Sequence, residues 1–193
     1  MSSRHHGAGA QPAQEHTHSI HDLEKMVTES PSAEIVCVKL AKILHVHRNE
    51  VALLRVEKGS LRFIFPAELR AAGMIPMTGS AVAARTAATA TPLLSNSFAR
   101  VKHVSLFESV KLNVPGEGVA EQPPIQKIMS VPISMAGGKV VGVAQISRKG
   151  LDSSMAGADF TGDDLKLLER AAGVLARMPF MEDGAPLGEA GDQ

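Results

Sequence analysis

The residues of this 193-residue chain whose types could do chemistry are few and scattered. A lone cysteine, Cys37, rules out an internal disulfide framework and a cysteine-rich zinc site. Five of the eight histidines, His5, His6, His16, His18 and His21, lie in the leading stretch. Imidazole suits zinc, copper or nickel, but the spacing is irregular and no cysteine or carboxylate fixes a geometry, so no metal is assigned. Asp163 and Asp164 follow Thr161, as carboxylates do in a first helical turn where the helix dipole favours them, so they are not read as a general acid and base. No Ser-His-Asp constellation stands out, and the chain is expected not to be an enzyme.

Polar groups that could bind rather than react sit in "IMSVPISMAGGKVVGVAQISRKG", Ile128 to Gly150, two apolar runs around Gly137-Gly138. A two-residue glycine turn there fixes which residues oppose each other. Met129, Val131, Ile133 and Met135 then share a face with Val140, Gly142, Ala144 and Ile146, where bulk opposite small residues lets a helix lie close. The second face sets Ser130 opposite Gln145, Pro132 opposite Val143 and Ser134 opposite Val141. Isolated hydrogen-bonding groups on a half-apolar surface suit a pocket floor, and equally suit a half-solvated sheet face.

Helices must flank such a hairpin. In "ESPSAEIVCVKLAKILHV", Ser30 is placed to cap and Pro31 to open a helix with Ile35, Val38, Ala41 and Leu44 as its stripe and Lys39 and Lys42 opposite. Val36, Leu40 and Ile43 widen that stripe, and the surplus points to a dimer contact. In "FTGDDLKLLERAAGVLARM", Thr161 and Asp164 form a capping box before Leu165, Leu168, Ala172 and Leu175. "NEVALLRVEKGSLRFIF" reads as a hairpin turning at Gly59-Ser60, with Glu57 opposite Arg62, Leu54, Val56, Leu61, Phe63 and Phe65 on one face, and Leu53, Arg55 and Ile64 on the other. "SAVAARTAATA" is helical up to the Thr91-Pro92 step, "LLSNSFARVKHVSLFESVKL" holds a short helix over the sheet, and "NVPGEGVAEQPP" is a loop.

Composition narrows the partners. Hydrophobic residues are 44% and charged residues 21% of the chain, ordinary globular usage. Formal net charge is zero, with no Trp or Tyr and six Phe. Neither a basic stripe nor aromatic stacking platforms are present, so nucleic acid is not expected as a partner. No run approaches the ~20 apolar residues of a bilayer span, no apolar segment near the start serves as a signal peptide, and the expected location is cytoplasmic.

The order of a helix, a hairpin, "GMIPMTGSAVAARTAATATPLLSNS", "IMSVPISMAGGKVVGVAQISRKG" and "FTGDDLKLLERAAGVLA" resembles a GAF domain, over Ser30 to Met178. The resemblance implies an α+β fold: a GAF-like central antiparallel sheet with terminal helices on one face and a pocket-covering segment on the other. Residues 22–178 form the GAF-like domain, between a mobile His-containing tail (1–21) and a flexible acidic tail (179–193). It further implies a small-molecule pocket lined from the sheet by Ser130, Gln145 and Arg55 and from the cover by Arg85, Ser95, Asn96, Phe98 and His103.

Family branches sort the function. The branch that reduces free methionine sulfoxide uses several cysteines, and only Cys37 is present here. Bilin-binding branches need a pocket cysteine, cyclic-nucleotide binders an Asn-Lys, Phe, Asp-Glu pattern that this chain lacks, and a haem on His103 a second supporting residue. No cofactor is assigned. The implied function is a non-enzymatic sensory or regulatory homodimer that binds a small-molecule ligand and acts in signalling through a separate partner protein, since no helix-turn-helix, kinase or cyclase segment fits in the remaining residues. The alternative is a dimerisation scaffold whose pocket is empty or filled by Phe98, Leu106 and Phe107 packed on Val141 and Val143.

Overall fold

A computed structural model of the protein describes residues 12–100 and 123–186, with side chains from 20 to 99 and from 123 onward. Helix α1 (Pro12–Glu29) opens on a proline, whose missing N–H would have had no partner in the first turn. Leu23 is fully buried, and Ile20, Met26 and Val27 pack on the same core. The expected mobile stretch is thus corrected from residue 12 onward: apolar residues after Ile20 recur at helical spacing and have a core to enter. Residues 1–11 lie outside the described residues.

Helix α2 (Ala33–Ile43) is capped by Ser32 rather than Ser30; the Ser32 hydroxyl accepts from the Ile35 N–H at 3.3 Å. Ser30 instead takes a left-handed φ of 49° where the chain turns between the helices. The buried face also differs from expectation. Val36, Cys37, Leu40, Ala41, Ile43 and Leu44 are buried, whereas Ile35 is 57% exposed and Val38 half-buried. Two apolar stripes compete on this helix, and the one burying more area faces the core.

Strands β1 (Val51–Glu57) and β2 (Ser60–Phe65) turn at Lys58-Gly59, one residue earlier than expected, because both central residues take the positive φ (47° and 79°) of a tight primed turn. Glu57 consequently faces Ser60 and Arg62 faces Arg55. Glu57 still reaches diagonally to Arg62, at 3.5 Å. A register shift after Leu53 leaves Ile64 as an extra residue and moves Phe65 from the face of Leu61 and Phe63 to that of Leu53 and Ile64.

The remaining elements are β3 (Met74–Pro76), α3 (Val82–Thr89), β4 (Leu93–Ser95), β5 (Ile125–Ser134), β6 (Val140–Lys149) and α4 (Gly162–Leu175). Among the described residues the sheet has six strands, all paired antiparallel, in the order β3-β2-β1-β6-β5-β4. The β5–β6 register is the expected one from Met129↔Ile146 to Ile133↔Gly142. Its turn is one residue longer than expected: the Met135 N–H donates to the Lys139 carbonyl at 2.9 Å across Ala136–Gly138, and both glycines have positive φ. A bulge after Ile133 then sets Ser134 opposite Val140 instead of Val141.

On one face, Leu53, Met129, Val131, Ala144 and Ile146 meet Leu40, Leu168 and Leu175 of α2 and α4. On the other, Leu54, Leu61, Phe63 and Val143 meet Ala83, Ala84 and Ala87 of α3. The capping box of α4 forms as expected: Asp164 N–H donates to the Thr161 hydroxyl at 3.1 Å and Thr161 N–H to the Asp164 carboxylate at 2.7 Å. Thr161→Ala is expected to lower stability by about 1 kcal/mol, read as a shift of the urea midpoint without change of slope.

Beyond α4 the expected flexible tail is corrected over residues 179–186, which fold back along the sheet face that carries α2 and α4. Met181 is buried, Phe180 packs on the main core, and the buried Arg55 donates to the Phe180 carbonyl at 2.8 Å. No described helix is long and apolar enough to cross a membrane.

Candidate functional site

Strand alternation puts Ser130 and Gln145 directly opposite one another on the sheet face beneath α3. The Gln145 side-chain amide donates to the Ser130 hydroxyl at 3.2 Å, and the Ser130 and Thr86 hydroxyls lie 2.8 Å apart. All three residues are buried. Thr86 reaches this position because it falls three residues after Ala83 and four after Val82, on the buried stripe of α3. Around the trio the face is apolar, with Ala52 and Val143 as strand neighbours and the alanines of α3 above. The arrangement is a short chain of neutral donors and acceptors in an apolar setting. It can orient a small polar group, but no base contacts either hydroxyl among the described hydrogen bonds, so it supplies no activated nucleophile.

The other expected pocket residues are placed differently. Arg85 is exposed: one helical step from Thr86 turns it about 100° away, toward solvent. Arg55 belongs to the opposite face, since alternation along β1 puts it with Leu53, and its guanidinium is spent on Glu57 and the Phe180 carbonyl. Asn96 clamps the loop before α4, donating to the Phe160 carbonyl and accepting from the Phe160 N–H, both at 2.9 Å. Ser95 is half-buried at the end of edge strand β4, opposite Ile128. Phe98 is buried among Val82, Ile125 and Ile128, flanking the trio rather than packed on Val141 or Val143. His103, Leu106, Phe107 and the loop at 113–122 lie outside the described residues.

Sequence reasoning missed Thr86, although the helical period of "VAARTAAT" places it among alanines that must face the sheet. It also missed Glu50, a buried carboxylate that accepts from the His47 N–H at 2.8 Å and the Lys149 N–H at 2.7 Å, tying the start of β1 to the end of β6. Cys37 is buried in α2, and desolvation, with Glu34 adding to it, pushes its thiol pKa far up. The thiolate that cysteine chemistry requires is disfavoured there.

Among the described residues, a six-stranded antiparallel sheet with helices on both faces and a polar trio under the short helix define an α+β architecture. The sequence pattern described as GAF domain matches residues 31–177, most of the chain. This chain belongs to the GAF domain family. No curated protein matches it in sequence. Among solved structures, the GAF domain of a phosphoenolpyruvate-protein phosphotransferase from Coxiella burnetii is similar at 14% identity and a TM-score of 0.62, covering 87% of this chain and 94% of that one. The corresponding domain from Acinetobacter matches at 13% identity and 0.61, covering 86% and 92%. Free methionine-R-sulfoxide reductase from Neisseria meningitidis, in complex with its substrate, matches at 15% identity and 0.52, covering 94% and 97%. At these identities the likeness is one of fold.

Proposed function

We propose that this chain is a non-enzymatic, cytoplasmic regulatory domain in which a small molecule engages the Thr86–Ser130–Gln145 face and a homodimer passes the change to a separate signalling protein. The observation that carries this reading is the trio itself: two hydroxyls and an amide buried on an otherwise apolar face. Apolar residues of the same size would pack there without the cost of dehydrating polar groups. A ligand that binds one packing of α3 on the sheet better than another would shift the domain between them by that difference in affinity. The solitary, protonated Cys37 supports a role without redox catalysis.

The scaffold reading draws on a different observation. Thr86, Ser130 and Gln145 already satisfy one another, and Ala83, Ala84 and Ala87 close on the sheet without a ligand. Native mass spectrometry of protein purified gently from cell extract separates the two. The sensor predicts a reproducible added mass that Ser130→Ala or Gln145→Ala removes and exposed-site Lys166→Ala retains. A bare protein under every gentle condition leaves the scaffold.

A further inference from the structure

Strand pairing sets two cations side by side at the start of β5 and the end of β6, where Lys127 lies opposite Arg148. Alternation from Met129 and Ile146 puts both on the sheet face that α2 and α4 cover, away from Thr86. Like charges directly opposite one another repel, so each calls for an acceptor. Lys127 has two. Its buried ammonium donates to the Gly157 carbonyl at 2.6 Å and pairs with the exposed Asp159 carboxylate at 2.8 Å. Arg148 has none among the described residues: its guanidinium lies over the Phe160 ring, 4.8 Å from the centroid, without a hydrogen bond or ion pair. The side chain is half-buried; Nε is covered and orphaned, while Nη1 and Nη2 reach water.

An apolar side chain on Phe160 would pack there without a dehydrated, unpaired N–H, so packing does not account for Arg148. Its surroundings hold it in one orientation. Asn96 fixes Phe160 through both backbone groups, and the ring in turn restrains the guanidinium. Gly157 keeps the Nη1 edge clear, since a β-carbon there would stand 3.2 Å from Nη1. We propose that Arg148 and Lys127 form an oxyanion site, separate from the Thr86–Ser130–Gln145 face, that takes the carboxylate of a small molecule. The carboxylate accepts from Nη1 and Nη2 as a fork, with the Lys127 charge beside it. The local charge selects a carboxylate over a phosphate. Lys127, Arg148 and Asp159 together carry a single positive charge, which one carboxylate neutralises, whereas a phosphate dianion leaves an excess next to Asp159.

Proton–nitrogen NMR of the labelled full chain tests the site, read at the backbone amides of Gly157 and Phe160 and at the sheltered Nε–H of Arg148. Sodium acetate is expected to move these signals to saturation, and sodium chloride at equal ionic strength is expected not to. Arg148→Lys keeps the charge and removes the fork, so acetate binding read at the two amides is expected to weaken about tenfold. Asp159→Asn removes the carboxylate that competes for Lys127 and is expected to tighten binding about threefold. Thermal unfolding confirms that both variants are folded. A response that acetate and chloride share, or acetate binding that survives intact in Arg148→Lys, overturns the site. Inorganic phosphate that binds in its dianionic form more tightly than acetate overturns the carboxylate as its ligand.

Discussion

Arg55→Met is expected to destabilise the protein by about 3 kcal/mol, the range for removing one partner of a buried ion pair. Arg55 is 1% exposed on the face of β1 that α2 and α4 cover, and divides its donors between the Glu57 carboxylate and the Phe180 carbonyl. Methionine fills most of the volume but leaves both acceptors short of a donor, with Arg62 alone to answer the Glu57 charge at 3.5 Å. Burial by itself raises the Glu57 pKa. The hydrogen bond and charge of Arg55, joined by Arg62, outweigh it, and the net shift is downward from the ordinary 4.5. A carboxyl depressed in the folded state contributes stability above its unfolded value, and that contribution is lost as pH falls through the lower folded value. Urea titrations should show the full gap between wild type and Arg55→Met at pH 7 and a narrower one below pH 4.5. A gap that stays constant into acid would locate the whole cost in the Phe180 hydrogen bond. A gap near zero at pH 7 would remove Arg55 from any anchoring role.

How legible this molecule was depends on the range over which each signal acts. The β5–β6 pairing was readable because period-two alternation and two glycines specify a register locally, so Ser130 and Gln145 were placed together from sequence. The same logic failed by one residue at each turn, where positive φ at Lys58 and an added Ala136 decide the loop length. It also failed at the bulges near Ile64 and Ser134, which shift Phe65 and Val140 to the other face. Helix α2 was located but not oriented, since its two apolar stripes can be ranked only by what α1 and the sheet offer to cover. Most pocket assignments rested on family likeness rather than on position. Arg85 and Thr86 show the difference, because counting residues along α3 puts the threonine inward and the arginine outward.

The 179–186 segment escaped the sequence reading because what holds it is remote in sequence: Arg55, 125 positions before Phe180, and the absence of a side chain at Gly142, 39 positions before Met181. Arg55 and Gly142 face each other across β1 and β6. A β-carbon at position 142 would stand 2.3 Å from the Leu54 carbonyl oxygen and 2.3 Å from the Met181 methyl. Gly142→Ala is therefore expected to cost about 3 kcal/mol, the upper part of the range for overpacking, because one of the two obstacles is backbone in the central pair of the sheet. Trimming the movable obstacle should not recover the loss. Met181→Ala alone opens a cavity under the segment and is expected to cost about 2 kcal/mol. The Gly142→Ala, Met181→Ala pair should be no more stable than Gly142→Ala, since the Leu54 carbonyl remains in place. Urea unfolding of the four proteins forms a complete cycle. Full rescue in the pair would mean that β1 and β6 can move apart at this point, and that glycine is required here by Met181 alone.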